Sequence, residues 1–345
     1  MSKITTKKSA PTRKPVKRVT KPSPPYAKPR KVKAKNGKAR KSVKAKKAKA
    51  APPAWTIKPR NDIFQLDLNI PEDPEKLLDW EQYILVNSDW HADNAHFDKA
   101  LWTKHMDQAK KRGAPVVAFG DLFCAMQGRL DARRSHGAMK KDLDTPDYFD
   151  QVVNELDKLT KPYADNMAFM SPGNHELAPL KYNGTNLITR LQGRLNRNGS
   201  PCVSGGIGGW IFIRGVVNGR SQTVKVAYHH GAGGGGPVTK GVPMHARRAV
   251  YLPQADAIFS GHIHQSWRVT SVQEDISAQG HRSLRNQDHV CLATYKQEYT
   301  PEESEFHTAL ERPPKPLGGC WMRLYCEYDP AKKNVTLKYD LIEAR

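Results

Sequence analysis

Five short apolar runs in this chain each stop at residues able to bind a metal, and no other feature limits the fold as tightly. Residues 83–86 run into Asn87, Ser88, Asp89, Trp90 and His91, and residues 115–119 into Gly120 and Asp121. Residues 167–170 lead through Ser171, Pro172 and Gly173 to Asn174, His175 and Glu176. Residues 224–228 stop at His229, His230 and Gly231, and residues 257–260 at Gly261, His262, Ile263 and His264. Apolar, β-rich runs of this length bounded by Gly or Pro predict buried strands. Between them the period becomes helical. Residues 97–111 carry Leu101, His105 and Met106 at helical spacing and are closed by Gly113, while residues 148–159 align Val152, Val153, Leu156 and Leu159. Thr185 is expected to cap a short helix through Leu191. Asn218-Gly219 predicts a hairpin between 210–217 and 223–228, and a second hairpin joins 320–328 to 335–342. Strand–helix units first and antiparallel strands later place the chain in the α/β class.

In a sheet of this class a site assembles at the carboxyl ends of the strands. Asp89 and His91 are two residues apart, as are His262 and His264. In an extended chain such residues point the same way, so each pair is expected to offer two donors to one centre. Mixed carboxylate, carboxamide and imidazole donors suit manganese, iron, zinc or cobalt rather than a thiolate site. Six or seven donors are too many for one ion and suit two. Singly, an Asp-x-His or a Gly-Asp is chance or a turn; together, in this order and each behind a strand, they define a centre. The glycines from Gly231 to Gly236 are not a P-loop, because no Gly-Lys-Ser/Thr follows, and predict a close approach of backbone to that centre. Cys124 is expected to pack behind it.

Charge divides the chain unevenly. The net charge of its 345 residues is +22, and residues 1–54 hold 20 Lys and Arg with no Asp or Glu. Residues 55–345 are close to neutral and form the folded domain. The tail, with Tyr26 as its one aromatic, cannot bury enough apolar surface to offset chain entropy and is expected to be disordered. Lys outnumbers Arg 16 to 4 and no apolar stretch precedes a cleavage site, which argues against a secretory or transit peptide. A polyanion-binding arm fits best, with nucleic acid as the partner. Mean hydropathy is −0.69, and no apolar run approaches the roughly 18–20 residues of a membrane helix. Five Cys with no C-x-x-C spacing exclude a disulfide scaffold and a zinc knuckle, and suit a reducing compartment.

The ordered set over residues 83–264 resembles the calcineurin-like metallophosphoesterases, whose pattern is Asp-x-His, Gly-Asp, Gly-Asn-His-Asp/Glu, His and Gly-His-x-His. The resemblance implies a four-layer α/β/β/α sandwich with a dinuclear metal centre at one edge. Carried over residue by residue, it implies Asp89, His91 and His264 as ligands of the first metal. It implies Asn174, His262 and either His229 or His230 for the second, with Asp121 bridging. Relatives reading His-Gly match His230; those reading His-x-Pro or His-x-Gly match His229. The implied cofactors are two divalent ions, manganese first, with iron, zinc and cobalt as alternatives. The implied activity is hydrolysis of a phosphodiester or phosphomonoester by a metal-activated hydroxide. His175 would assist the leaving group, oriented by Glu176 or Asp93. The Ser/Thr protein phosphatases continue their second motif as Gly-Asp-x-x-Asp-Arg-Gly. Here Gly120-Asp121-Leu122-Phe123-Cys124 departs from it and is closer to phosphoesterases of bacterial and phage type. Arg129 and Arg133 are then expected to bind a substrate phosphate. The expected location is the cytoplasm of a bacterial or phage-infected cell, with the basic tail holding the enzyme to nucleic acid, including the nucleoid. The competing expectation is a catalytically silent nucleic-acid-binding or scaffolding protein on the same fold. Loss of ligands would mark it, and here every ligand position is filled.

Overall fold

The eight runs read as strands are strands, and five more join them. The computed structural model describes residues 53–126, 138–299, 313–330 and 333–344. Residues 1–52, Arg129 and Arg133 lie outside the described residues. In chain order the first strands are β1 (Trp55–Arg60), β2 (Ile63–Leu68), β3 (Glu81–Asn87), β4 (Val116–Phe119), β5 (Met167–Ser171) and β6 (Val203–Ser204). They are followed by β7 (Gly208–Val217), β8 (Arg220–His229), β9 (Ala257–Ser260), β10 (Trp267–Ile276), β11 (Arg282–Cys291), β12 (Gly319–Asp329) and β13 (Asn334–Ala344). One sheet has the order β13-β12-β3-β4-β5-β6 and the other β1-β2-β7-β8-β9-β11-β10. Within them β3, β4 and β5 run parallel, as do β8 and β9. Parallel neighbours put their carboxyl ends at the same edge, so all five polar junctions are delivered to edges of the two sheets that face each other.

The helices are α1 (Pro74–Leu77), α2 (Lys99–Arg112), α3 (Tyr148–Thr160), α4 (Asn174–Asn183), α5 (Leu187–Arg197), α6 (Val242–Ala246) and α7 (Arg248–Tyr251). Three of them, α2, α3 and α5, bury Trp102, Met106, Val153, Leu156, Leu191 and Leu195 against the outer face of the six-stranded sheet. A second core fills the space between the sheets, and a small third one lies behind the seven-stranded sheet, where Ala227, Ala255 and Ile258 meet Leu252 just after α7. The result is an α/β/β/α sandwich. Between the sheets Phe119 stacks on Tyr228, centroids 4.8 Å apart and 5° from parallel. Such a pair is worth about 0.5–1.5 kcal/mol beyond its burial. Its position matters more, because Gly120 and His229 follow directly and inherit the register it sets.

Local chemistry accounts for the element ends. The Asp98 carboxylate accepts from Leu101 N at the start of α2, and Gly113, at φ 59°, closes it. The cap of α5 is Asn186, not Thr185: its Oδ1 accepts from Thr189 N at 3.0 Å, and the helix continues to Arg197. The α4 helix is not among the helices read from the sequence. It forms because Glu176, in its first turn, reaches back to accept from Gly173 N at 2.7 Å. All five Cys are free and buried. Among the described residues no helix is long and apolar enough to cross a membrane.

Candidate metal centre

The donors leave their strands through left-handed residues. Asp89 (φ 53°), His91 (46°), Asp121 (52°), His262 (74°) and His264 (52°) are half of the ten described non-glycine residues with positive φ. Strain of this kind, about 1–3 kcal/mol per residue, concentrates where a site over-determines it. The expectation that each x-spaced pair is offered by an extended chain is therefore corrected. β3 ends at Asn87 and β9 at Ser260, and the pairs converge by kinking rather than by pleat. The kinks are held by distant backbone. The Asp89 carboxylate accepts from His262 N at 3.1 and 3.0 Å, which joins the two sheets, and its carbonyl accepts from Thr294 Oγ1 at 2.7 Å and Tyr295 N at 3.0 Å.

Two donor groups result. In the first, His91 Nε2 lies 3.1 Å from His264 Nε2, with Asp89 Oδ1 at 3.4 Å from His264 and 4.0 Å from His91. In the second, Asp121, His230 and His262 bring one donor atom each within 4.8 Å of the others, and Asn174 Oδ1 is 3.1 Å from His230 Nε2. Asp121 Oδ2 stands between the groups, 3.0 Å from His230 Nε2 and 4.0 Å from His91 Nε2. Gly120 permits this closeness: at φ 86°, a Cβ there would sit 2.4 Å from His230 Nδ1. Of the glycine run, Gly231 makes the expected approach, its backbone lying against His262 and Gly261.

His229 and His230 separate cleanly. Neighbouring residues at a strand end face opposite ways. His230 is fully buried, donates Nδ1–H to the Phe119 carbonyl at 2.9 Å and turns Nε2 into the centre. The expectation that His229 shares in the centre is corrected: it faces away, its Nδ1 accepting from Gly231 N at 3.0 Å and lying 3.4 Å from Arg248 Nη2.

The remaining expectation concerned His175. Its Nδ1–H donates to the Cys124 carbonyl at 2.6 Å, its backbone N donates to Asp121 Oδ1 at 3.0 Å, and its Nε2 is 3.7 Å from Asp121 Oδ2. Neither Glu176 nor Asp93 touches the ring, and the expectation is corrected to an indirect one through the Cys124 backbone. Glu176 accepts from Asp121 N, Phe123 N and Gly173 N; Asp93 accepts from Cys124 N, Ala125 N and Tyr148 Oη. Both act on backbone: one clamps the loops after β4 and β5, the other holds the carbonyl that holds His175. Thr294 escaped the sequence reading altogether. Its only signal is an apolar run, Cys291-Leu292-Ala293, that also ends in a polar residue.

Electrostatics follow from crowding. Burial first, then the neighbouring His175, hold His91 well below its ordinary pKa, while burial and His230 lower His262. Burial opposes the charge on Asp121, but His175, His230 and His91 outweigh it and keep the carboxyl far below the usual range. Burial likewise opposes protonation of His230, yet Asp121 pushes it up to about 9. Facing imidazole nitrogens, two buried carboxylates and a carboxamide oxygen form a donor set that suits divalent cations.

Residues 83–266 match the family described as calcineurin-like phosphoesterase. The chain belongs to that family. A comparison with curated proteins found no match. Among solved structures this phosphoesterase-family chain is similar to GAP50, the anchor in the inner membrane complex of Plasmodium, with a TM-score of 0.39 and 10% identity over 77% of this chain and 85% of that one. It is also similar to zinc-complexed Vps29 of Entamoeba histolytica, with a TM-score of 0.30 and 9% identity over 76% of this chain and 100% of the other.

Proposed function

We propose that the protein is a dinuclear-metal phosphoesterase that cleaves phosphodiesters of nucleic acid or nucleotides, with residues 1–54 as its tether to the polymer. The convergence of two complete donor groups on Asp121 carries the reading. Asp89, His91 and His264 would hold one cation, Asn174, His230 and His262 the other, and Asp121 both; manganese suits this oxygen and nitrogen set. Bound there, the cations supply Lewis-acid activation of the phosphoryl group and of the attacking water. The chain's own part is positional. The N–H groups of Gly173 and His175 at the start of α4 are committed to Glu176 and to Asp121 Oδ1, which fixes Asp121 against the α4 amino terminus. His175 supplies a proton. Because Nδ1 is committed to the Cys124 carbonyl, the transferable proton sits on Nε2, beside Asp121. Burial opposes that charge, but Asp121 outweighs it and pushes the pKa up to about 10, and added cations would bring it back toward neutrality. Transfer of that proton to the leaving oxygen leaves a neutral ring.

Support for a nucleic-acid substrate is the concentration of 20 cations and no acid in residues 1–54. The test is turnover of a chromogenic phosphodiester and the matching monoester by the manganese-loaded chain, with Asp121→Asn as control. Turnover that persists in Asp121→Asn would refute the metal reading. Deleting residues 1–54 should abolish salt-sensitive binding to single-stranded DNA and spare turnover of the small ester; unchanged DNA binding would refute the tether.

A further inference from the structure

Cys124 is buried, as the sequence predicts, but its sulfur does not face only apolar neighbours. It accepts from Asn94 Nδ2 at 3.4 Å, and it lies within 4.8 Å of a ring nitrogen of His91 and one of His175. The three donors are pre-placed. Asp93 pins the backbone at Cys124 and Ala125, and Ala125 is itself left-handed at φ 51°. His175 has committed Nδ1 to the Cys124 carbonyl, which leaves Nε2 as its free donor. His91 is 1% exposed, and its Nδ1 has no hydrogen-bond partner. Bonds of about 2.0–2.1 Å to nitrogen and 2.3 Å to sulfur would draw together three donors that already lie within 4.8 Å of one another.

The donor chemistry differs from that of the two groups beside it. Carboxylate, carboxamide and imidazole accept hard and borderline cations; two imidazoles and a thiolate select soft ones. We propose that His91, Cys124 and His175 form a further site, overlapping the centre at His91, for a thiophilic divalent cation, zinc or cadmium. On binding, the Cys124 thiol and the Nε2–H of His175 each yield a proton to solvent and nothing is oxidised. His91 belongs both to this group and to the one with Asp89 and His264. A cation held by Cys124 therefore shares that ring with the neighbouring site, and it takes the Nε2 of His175. Occupation of the soft site would silence the centre. That consequence rests on the hydrolase reading above; the site itself does not.

The test is a cadmium titration of the reduced, metal-free full chain, followed by ultraviolet absorption. The wild type should develop a sulfur-to-cadmium charge-transfer band that saturates at one cadmium per chain. Cys124→Ser should lose the band while keeping its circular dichroism. His175→Gln should keep the band but bind cadmium at least about tenfold more weakly, since even an outer partner of a ligand is worth about 10–100-fold. If Cys124→Ser unfolds, the His175→Gln result decides alone. A wild type saturated with cadmium but lacking the band, a full band in Cys124→Ser, or undiminished affinity in His175→Gln would overturn the proposal. Manganese-dependent turnover measured on the same wild-type preparation keeps the two readings apart: a band without turnover sinks only the hydrolase, and turnover without a band sinks only the soft site.

Discussion

Replacing Glu176 by alanine should loosen the centre without removing a single donor to it. The residue is 2% exposed, and its carboxylate accepts from Asp121 N at 3.1 Å, Phe123 N at 2.9 Å and Gly173 N at 2.7 Å. Two of these N–H groups belong to the loop after β4 and one to the loop after β5. Alanine leaves all three without an acceptor in a place closed to water. A buried donor left unpaired costs about 1–3 kcal/mol, so the gross loss is about 3–9 kcal/mol. Part of that returns. Burial, then the Asp121 charge, push the Glu176 pKa from 4.5 up to about 7, and relief of that burden at neutral pH gives back at most about 3 kcal/mol. The net loss should centre near about 3 kcal/mol. Glu176→Gln keeps one acceptor oxygen, which can serve Asp121 N and Gly173 N together, and should lose about half as much. Urea unfolding of the metal-free full chain at pH 7 measures both, and manganese affinity should fall in the same order as the Asp121 loop is released. If Glu176→Ala unfolds within about 0.5 kcal/mol of the wild type and binds manganese as tightly, other contacts hold these loops and the clamp argument is wrong.

Two further outcomes follow from the same geometry. His245 and His289 are buried, and burial followed by Arg248 brings their pKa values down to about 4 and about 3. At these two residues the unfolded chain then binds more protons than the folded one below about pH 6.5, so their contribution to stability is complete above that pH and is lost as pH falls toward 3. His289→Gln should flatten the loss by about 1.4 kcal/mol per pH unit, and an unchanged slope in urea unfolding between pH 6 and 4 would contradict the assignment. Gly120→Ala should cost about 1–3 kcal/mol from backbone strain at φ 86°. It should also displace His230, whose Nδ1 would lie 2.4 Å from the new Cβ; wild-type melting and manganese stoichiometry in this variant would show the approach to be slack.

Strand existence was readable because five strands are continuous apolar runs and three more are marked by hairpin turns, and all eight became strands. The identities of the donors were readable for the same kind of reason: Asp, Asn and His are the residue types the chemistry uses, and each stood at a strand end. The weaker strands were not readable. β10 alternates half-buried and exposed residues along an edge, and β6 is two residues long, so neither carries an apolar run. The α4 helix was missed because its start depends on a side chain reaching back to Gly173 rather than on a polar cap.

Residue type, spacing and charge are local, so they suffice for a list of candidate donors, a sheet-based class and a separate basic tail. Which way a donor points is not local. Asp89 meets His262 across 173 positions of chain, and His230 meets the Phe119 carbonyl across 111. The choice between His229 and His230, the left-handed kinks that replaced an extended presentation, and the backbone roles of Glu176 and Asp93 all depend on two sheets packing face to face. Those choices are settled by which backbone N–H and C=O groups the opposite sheet presents, and a linear pattern of residues holds no record of that.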